Sequence, residues 1–421
     1  MVNQELFEYI KNLKIIDTHE HLPAAEDKRD RDTDVLREYL AHYFSRDLIS
    51  AGLKKDDYEK VMGRELSIRE KWELVEPYWD VCRNTGYGRS LDIAVNELYN
   101  IEEINGSTIN KLNDKFQQTL KQDNYFAKVL KEKCNIEISL LDGEFDSDEK
   151  FFRNVVRLDH FIYPQTGDTI NQVEKNSGIK ISSFEDWLQA CRNFLQEMLD
   201  KGAVGLKSGL AYERSLNYER VSRDQAEQAF LKILENKISP DWGNQHFTPE
   251  KKFQDYMMHY ILNLANKKHL TVQIHTGLQE GSGNMLTNSE PSLLNNLFIQ
   301  YPDIKFDIFH IGYPYYRVLS ALAKMFPNVY IDMCWAHIIS PEAAQDALSE
   351  YLDSVPANKI SAFGGDYVFV DGVYGHQYLA RQNVALVLTQ KIDQGIMNLK
   401  RAKKIAEMLF YDNPKNIFQL G

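Results

Sequence analysis

Eight times along this chain a short β-branched or aromatic run ends in a polar residue, and most of these runs are followed by a stretch of helical period. The runs are LKIID ending at Asp17, IEISLL ending at Asp142, FFRNVVRL ending at Asp159, AVGLKS around Lys207, LTVQIH at His275, FDIFH at His310, VYIDMCW at Trp335 and ISAFGGD at Asp366. Most are continuously apolar, which suits parallel strands covered on both faces rather than a sheet with one wet side. Amphipathic stretches at 184–201, 249–268 and 314–326 lie between them. Eight strands alternating with helices predict an α/β fold, the (β/α)8 TIM barrel.

Two connections depart from a plain barrel. The segment DGEFDSDEK between the second and third runs is too short for a helix and crossover, so one helix is expected to be missing or replaced. Residues 22–135 are far too long for a loop and contain the N-capped stretch SIREKWELVEPYW, so they read as a helical insertion after the first strand, at the C-terminal face of the barrel. The insertion is expected to cover the barrel mouth; a dimer surface is the other reading. Residues 1–421 are thus read as one barrel domain with the insertion at 22–135, and 209–248 as a second, weakly apolar excursion.

With 43% hydrophobic and 12% aromatic residues there is material for a large core. Sixty-one acidic against 49 basic residues leave a net charge of −12 and no basic run, which argues against nucleic acid and anionic membrane as partners. There is no signal-peptide pattern and no apolar stretch of membrane-spanning length, so a cytoplasmic protein is expected. Cys82, Cys134, Cys191 and Cys334 are widely spaced and form no CxxC, so reduced buried thiols are expected.

The chemistry is carried by where the polar residues fall. His19 and His21, Lys207, His275, His310 and Asp366 all end predicted strands, the end at which barrel enzymes build their sites. Residues two apart in a strand point the same way, so His19 and His21 can bind one ion together, with Asp366 as a carboxylate ligand. A lone His-x-His arises by chance; joined to a histidine ending each of two later strands and an aspartate ending the last, it points to a metal site. Were these merely core histidines, their recurrence at strand ends would be unexplained.

At these residues the chain resembles the amidohydrolase superfamily of metal-dependent barrel enzymes. The resemblance rests on IIDTHEHL, GLKSGL, QIHTGL, FHIG and FGGD, and runs from residue 13 to about residue 370. It implies a metal-dependent hydrolase type of barrel in which His19, His21 and Asp366 hold one ion, His275 and His310 a second, and a carbamylated Lys207 bridges them. Within the superfamily, FGGD and the long insertion look most like the branch of predicted hydrolases, aromatic-acid decarboxylases and uronate isomerases, many of which lack the bridging lysine and use one metal.

Lys207 has three readings: a carbamate formed with CO2, a cation gripping a substrate carboxylate, or a lysine paired with a structural acid. The expected cofactor is Zn2+, one or two ions, with Mn2+ or another divalent metal as the alternative. Arg157, Tyr212, Arg214, Arg317, Trp335 and His337 follow strand ends and are expected to bind substrate, though aromatic and paired residues there are as often packing. Asp159 and His160 share that ambiguity, and TGLQEGSGN (276–284) reads as a substrate loop. The leading functional expectation is a hydrolase whose metal lowers the pKa of bound water to about 7, with Asp366 moving the proton and His310 orienting the electrophile. Its target would be a C–N, C–O or P–O bond in a small polar or anionic molecule. A uronate isomerase-like or decarboxylase activity is the alternative, and a metal-stabilised binding protein the non-enzymatic one; a homo-oligomer is open.

Overall fold

The computed structural model describes residues 2–235, 237, 239, 241–281 and 283–421. Parts of the 209–248 excursion and of the 276–284 loop, residues 236, 238, 240 and 282, lie outside that set. Eight strands form one sheet in sequence order, the (β/α)8 barrel: β1 (Ile15–Glu20), β2 (Ile136–Leu141), β3 (Phe152–Arg157), β4 (Gly205–Ser208), β5 (Thr271–Ile274), β6 (Phe306–Ile308), β7 (Val329–Asp332) and β8 (Ile360–Ser361). β1, β4, β5, β6 and β8 are buried at every position, as continuous apolar runs require. No helix forms between β2 and β3, as the short linker demands. Several strands stop earlier than the runs suggest: β8 ends at Ser361, five residues before Asp366, and β6 at Ile308, two before His310. β3 ends at Arg157, because Asp159 opens a short helix, Asp159–Ile162. β7 ends at Asp332, whose carboxylate turns back to accept the Cys334 N–H at 2.7 Å.

The chain divides into two compact units, residues 1–153, 280–284 and 332–416 in the first and 154–279, 285–331 and 417–421 in the second. In the second, β3 to β6 pair in parallel register, with Arg157 beside Lys207 and Lys207 beside Gln273. The helix Phe184–Asp200 begins there at a capping box in which Ser183 and Asp186 satisfy each other's backbone N–H groups.

In the first unit, β1 pairs with β2, and the Thr18 N–H donates to the Phe363 carbonyl at 3.1 Å. The insertion is helical, as expected. Its longest helix, Ile68–Cys82, starts at the Ser67–Glu70 capping box and buries Trp72 and Trp79, the latter edge-on to Phe44. Another insertion helix, Gly86–Tyr99, packs on Val370–Asp393 so tightly that a Cβ on Gly375 would stand 1.9 Å from the Ser90 carbonyl oxygen. The buried Arg381 ties the unit's base: its guanidinium donates to the carbonyls of Ile10, Leu13 and Cys134 and to Gln377. All four cysteines are free and buried, and among the described residues no helix is long and apolar enough to cross a membrane.

The insertion carries a pH-sensitive group. Burial pushes Glu38 up to about 7 from 4.5, despite Arg29 lying 3.8 Å away. Its carboxyl is therefore still protonated in the folded chain over a range where the unfolded chain has lost the proton. Stability should fall as pH rises from about 4.5 to 7, by about 3 kcal/mol, and stay level above. Urea unfolding across this range checks it: Glu38→Gln should flatten the decline, and an unaltered slope would exclude Glu38 as its source.

Candidate active site

In the first unit, His19 lies near the end of β1 and His21 immediately after it, with an irregular register between Asp17 and Glu20. The backbone that follows β8 brings Asp366 beside them, its N–H donating to the His19 carbonyl at 2.8 Å. His21 Nε2 lies 3.3 Å and His19 Nε2 3.7 Å from Asp366 Oδ1, and the three ligand atoms sit within 4.8 Å of one another. His21 Nδ1 is 3.0 Å from the Asp142 carbonyl oxygen. A carbonyl only accepts, so Nδ1 carries the hydrogen and Nε2 turns its lone pair toward Asp366, the kind of backbone hydrogen bond that orients a metal-ligating imidazole. Two imidazoles and a carboxylate converging in a buried corner fit a divalent ion.

Three further groups in this unit escaped the sequence reading. The Asp142 carboxylate, at the end of β2, stands 3.8 Å from His19 Nε2. It ends one of the eight apolar runs, so the signal that found Asp366 could have found it. His42 and Tyr43 come from the insertion, where no periodicity pointed at them. The Tyr43 phenol donates to the Asp366 carbonyl at 2.7 Å, and burial lowers His42 to about 4, leaving a neutral imidazole at pH 7. Behind them, β1 holds two fully buried carboxyls: burial raises Asp17 to about 6 and raises Glu20 further, because the Asp17 charge is beside it. Trp335 is buried at a left-handed turn and stacks on Tyr43, ring centroids 4.6 Å apart.

In the second unit, His310 Nε2 lies 3.0 Å from His275 Nδ1, and His275 Nε2 is 2.9 Å from the Leu278 carbonyl. Nε2 of His275 therefore carries the hydrogen and Nδ1 accepts from His310. The Tyr212 ring is 4.7 Å from that of His275. Lys207 is buried with Nζ 4.5 Å above the Phe309 ring. A cavity of about 340 Å³ opens at the ends of β3 and β4, lined by Arg157, Asp159, His160 and Tyr212 among others, and Asp159 accepts the Gly209 N–H at 2.7 Å.

Three residues expected to meet substrate are placed otherwise. Arg214 spends its donors on Asp255 at 2.7 Å, on Gln254 and on the carbonyls of Ser215 and Asn217, over the Tyr218 ring. His337 is fully buried between the Ala362 carbonyl and Asn383, and burial lowers it to about 4. Arg317 is exposed on the helix Tyr316–Met325, beside the Tyr316 ring.

The sequence profile of the amidohydrolase family matches residues 221–420. A uronate isomerase of Corynebacterium efficiens is 22% identical over 459 aligned positions, covering 100% of this chain and 96% of that protein. The crystal structure of glucuronate isomerase from Caulobacter crescentus superposes with a TM-score of 0.78 over 99% of this chain and 93% of that one, at 20% identity. These likenesses are consistent with the amidohydrolase superfamily. Protein FluG of Emericella nidulans is 26% identical over 252 residues, 57% of this chain. The chain spans only 29% of FluG, so that likeness concerns one part of a longer protein. Members of the amidohydrolase superfamily generally bind divalent metal, and the His19–His21–Asp366 corner supplies this chain with residues for it.

Proposed function

We propose that this amidohydrolase-superfamily enzyme is a divalent-metal-dependent aldose–ketose isomerase acting on a hexuronate. The match to a uronate isomerase along its whole length carries the reading. It favours isomerisation over the hydrolysis expected from the strand-end pattern. His19, His21 and Asp366 would hold the ion, Zn2+ or Mn2+. When bound, the ion supplies positive charge that fixes the hydroxyl and carbonyl oxygens of the sugar and acidifies the carbon-bound hydrogen between them.

The chain's own groups then move the protons. Asp366 takes the hydrogen from C2 of the open-chain aldehyde as the C1=C2 bond forms, and returns it to C1. His42, neutral at pH 7, carries the hydroxyl proton from O2 to O1, so the product is an isomer and no oxidant or water is consumed. Tyr43 holds the Asp366 backbone through its carbonyl. Within the second unit, the cavity lined by Arg157 and Tyr212 suits an anionic or hydroxylated group, and the place of Lys207 over the Phe309 face suits an ammonium.

The 3.0 Å approach of His275 and His310 supports a second reading, in which these two histidines would hold a further ion and Lys207 would carry a CO2-derived carbamate. Metal analysis after loading with zinc and bicarbonate separates them, one ion per chain against two. For the activity itself, metal-loaded protein incubated with D-glucuronate in D2O should yield the ketose with deuterium on carbon. Hydrolysis of an amide, lactone or phosphoester with no turnover of any hexuronate would refute the isomerase reading.

A further inference from the structure

Five residues beyond Asp366, in the first turn of the helix Val370–Asp393, the buried Asp371 accepts three phenol hydrogen bonds. Tyr39 and Tyr99 donate to Oδ2 at 2.9 and 2.6 Å, and Tyr125 donates to Oδ1 at 2.7 Å. All three tyrosines are buried and come from separate parts of the insertion: the helix Val35–Tyr39, the end of Gly86–Tyr99, and the segment after Ile109–Thr119. Among the described residues no lysine or arginine pairs with Asp371, so the carboxylate is held by neutral donors alone. Burying an acid in this way is costly beside apolar packing of the same volume. What it adds is direction, since three hydrogen bonds fix distances and angles where apolar surfaces could slide.

That direction bears on the candidate metal ligand. Tyr39 stands four residues before Tyr43, whose phenol donates to the Asp366 carbonyl at 2.7 Å, with His42 between them. The Tyr39 ring also stacks on Phe369, within the same loop as Asp366, with centroids 5.4 Å apart and planes 19° from parallel. Asp366 itself has φ +57°, a left-handed backbone that a non-glycine residue keeps only where its surroundings over-determine it. We propose that Asp371 and its three tyrosines are positioning residues for the Asp366 loop, so that the insertion sets the geometry of the metal-binding carboxylate as well as covering it. The proposal rests on His19, His21 and Asp366 forming the metal set.

The test is the Zn2+ affinity of the purified full chain, by competition with a chromophoric chelator, measured beside the melting temperature of the metal-free form. Tyr99→Phe and Tyr125→Phe each delete one donor far from the ligands and keep the ring, and should weaken Zn2+ binding about tenfold, as loss of a hydrogen bond that orients a metal ligand does. Asp371→Asn should weaken it at least as much; if it fails to fold, the two phenylalanine variants carry the test. Tyr58→Phe, which removes another insertion phenol bond, to the Leu40 carbonyl, should leave the affinity unchanged. A lower melting temperature with unchanged affinity in the clasp variants, or equal weakening in Tyr58→Phe, would overturn the proposal. A wild-type chain that binds neither Zn2+ nor Mn2+ would instead refute the metal set itself, and the proposal with it.

Discussion

Asp366→Asn should lower kcat on the hexuronate by about 10²–10⁴-fold, the range typical of losing a positioned proton carrier, and should also reduce bound metal. Asparagine is the replacement that isolates the charge. It tolerates the left-handed backbone that residue 366 adopts at φ +57°, and it keeps the carbonyl that accepts from Tyr43 and the N–H that donates to His19. The fold should therefore survive, with a circular dichroism spectrum like that of the wild type. Steady-state kinetics at saturating metal make the measurement, and activity within threefold of wild type would remove Asp366 from the chemistry.

Arg381→Met should destabilise the chain by about 3–5 kcal/mol, because methionine fills the volume but strands three buried or part-buried carbonyls, each worth about 1–3 kcal/mol when left without a donor. Such a loss is a large fraction of a typical folding free energy, roughly 5–15 kcal/mol. Arg381→Lys should recover only part of it, since one ammonium cannot reproduce a planar fork reaching Ile10, Leu13 and Cys134 at once. Urea unfolding measures both variants. A change below about 1 kcal/mol in Arg381→Met would show that water replaces the guanidinium at these carbonyls.

The barrel was legible because most of its strands are buried at every position, so most wrote a continuous apolar run that stops where the chain meets polar chemistry. For the same reason His19, His21 and Asp366 could be picked out before any geometry was known, and the structure brings them into one corner. What could not be read was which partner a polar residue at a strand end would meet. Arg214 looked like a substrate anchor, yet Asp255, 41 residues further on, claims its guanidinium. His337 followed a strand in the same way, and Asn383 and the Ala362 carbonyl enclose it. His42, Tyr43 and Asp371 were invisible for a different reason. Their roles depend on how the insertion packs against the helix after β8, and helical periodicity records that a face is buried without recording against what.

The bond between Thr18 and Phe363 joins residues 345 apart. At about 5–20 residues per second, a ribosome needs about 20–70 s to travel that distance. Throughout that interval His19 and His21, at the end of β1 and just after it, stand without the segment after β8 that delivers Asp366. Metal loading therefore belongs to the time after that segment emerges, and a nascent chain stalled before β8 would hold two histidines with no carboxylate from it to close the set.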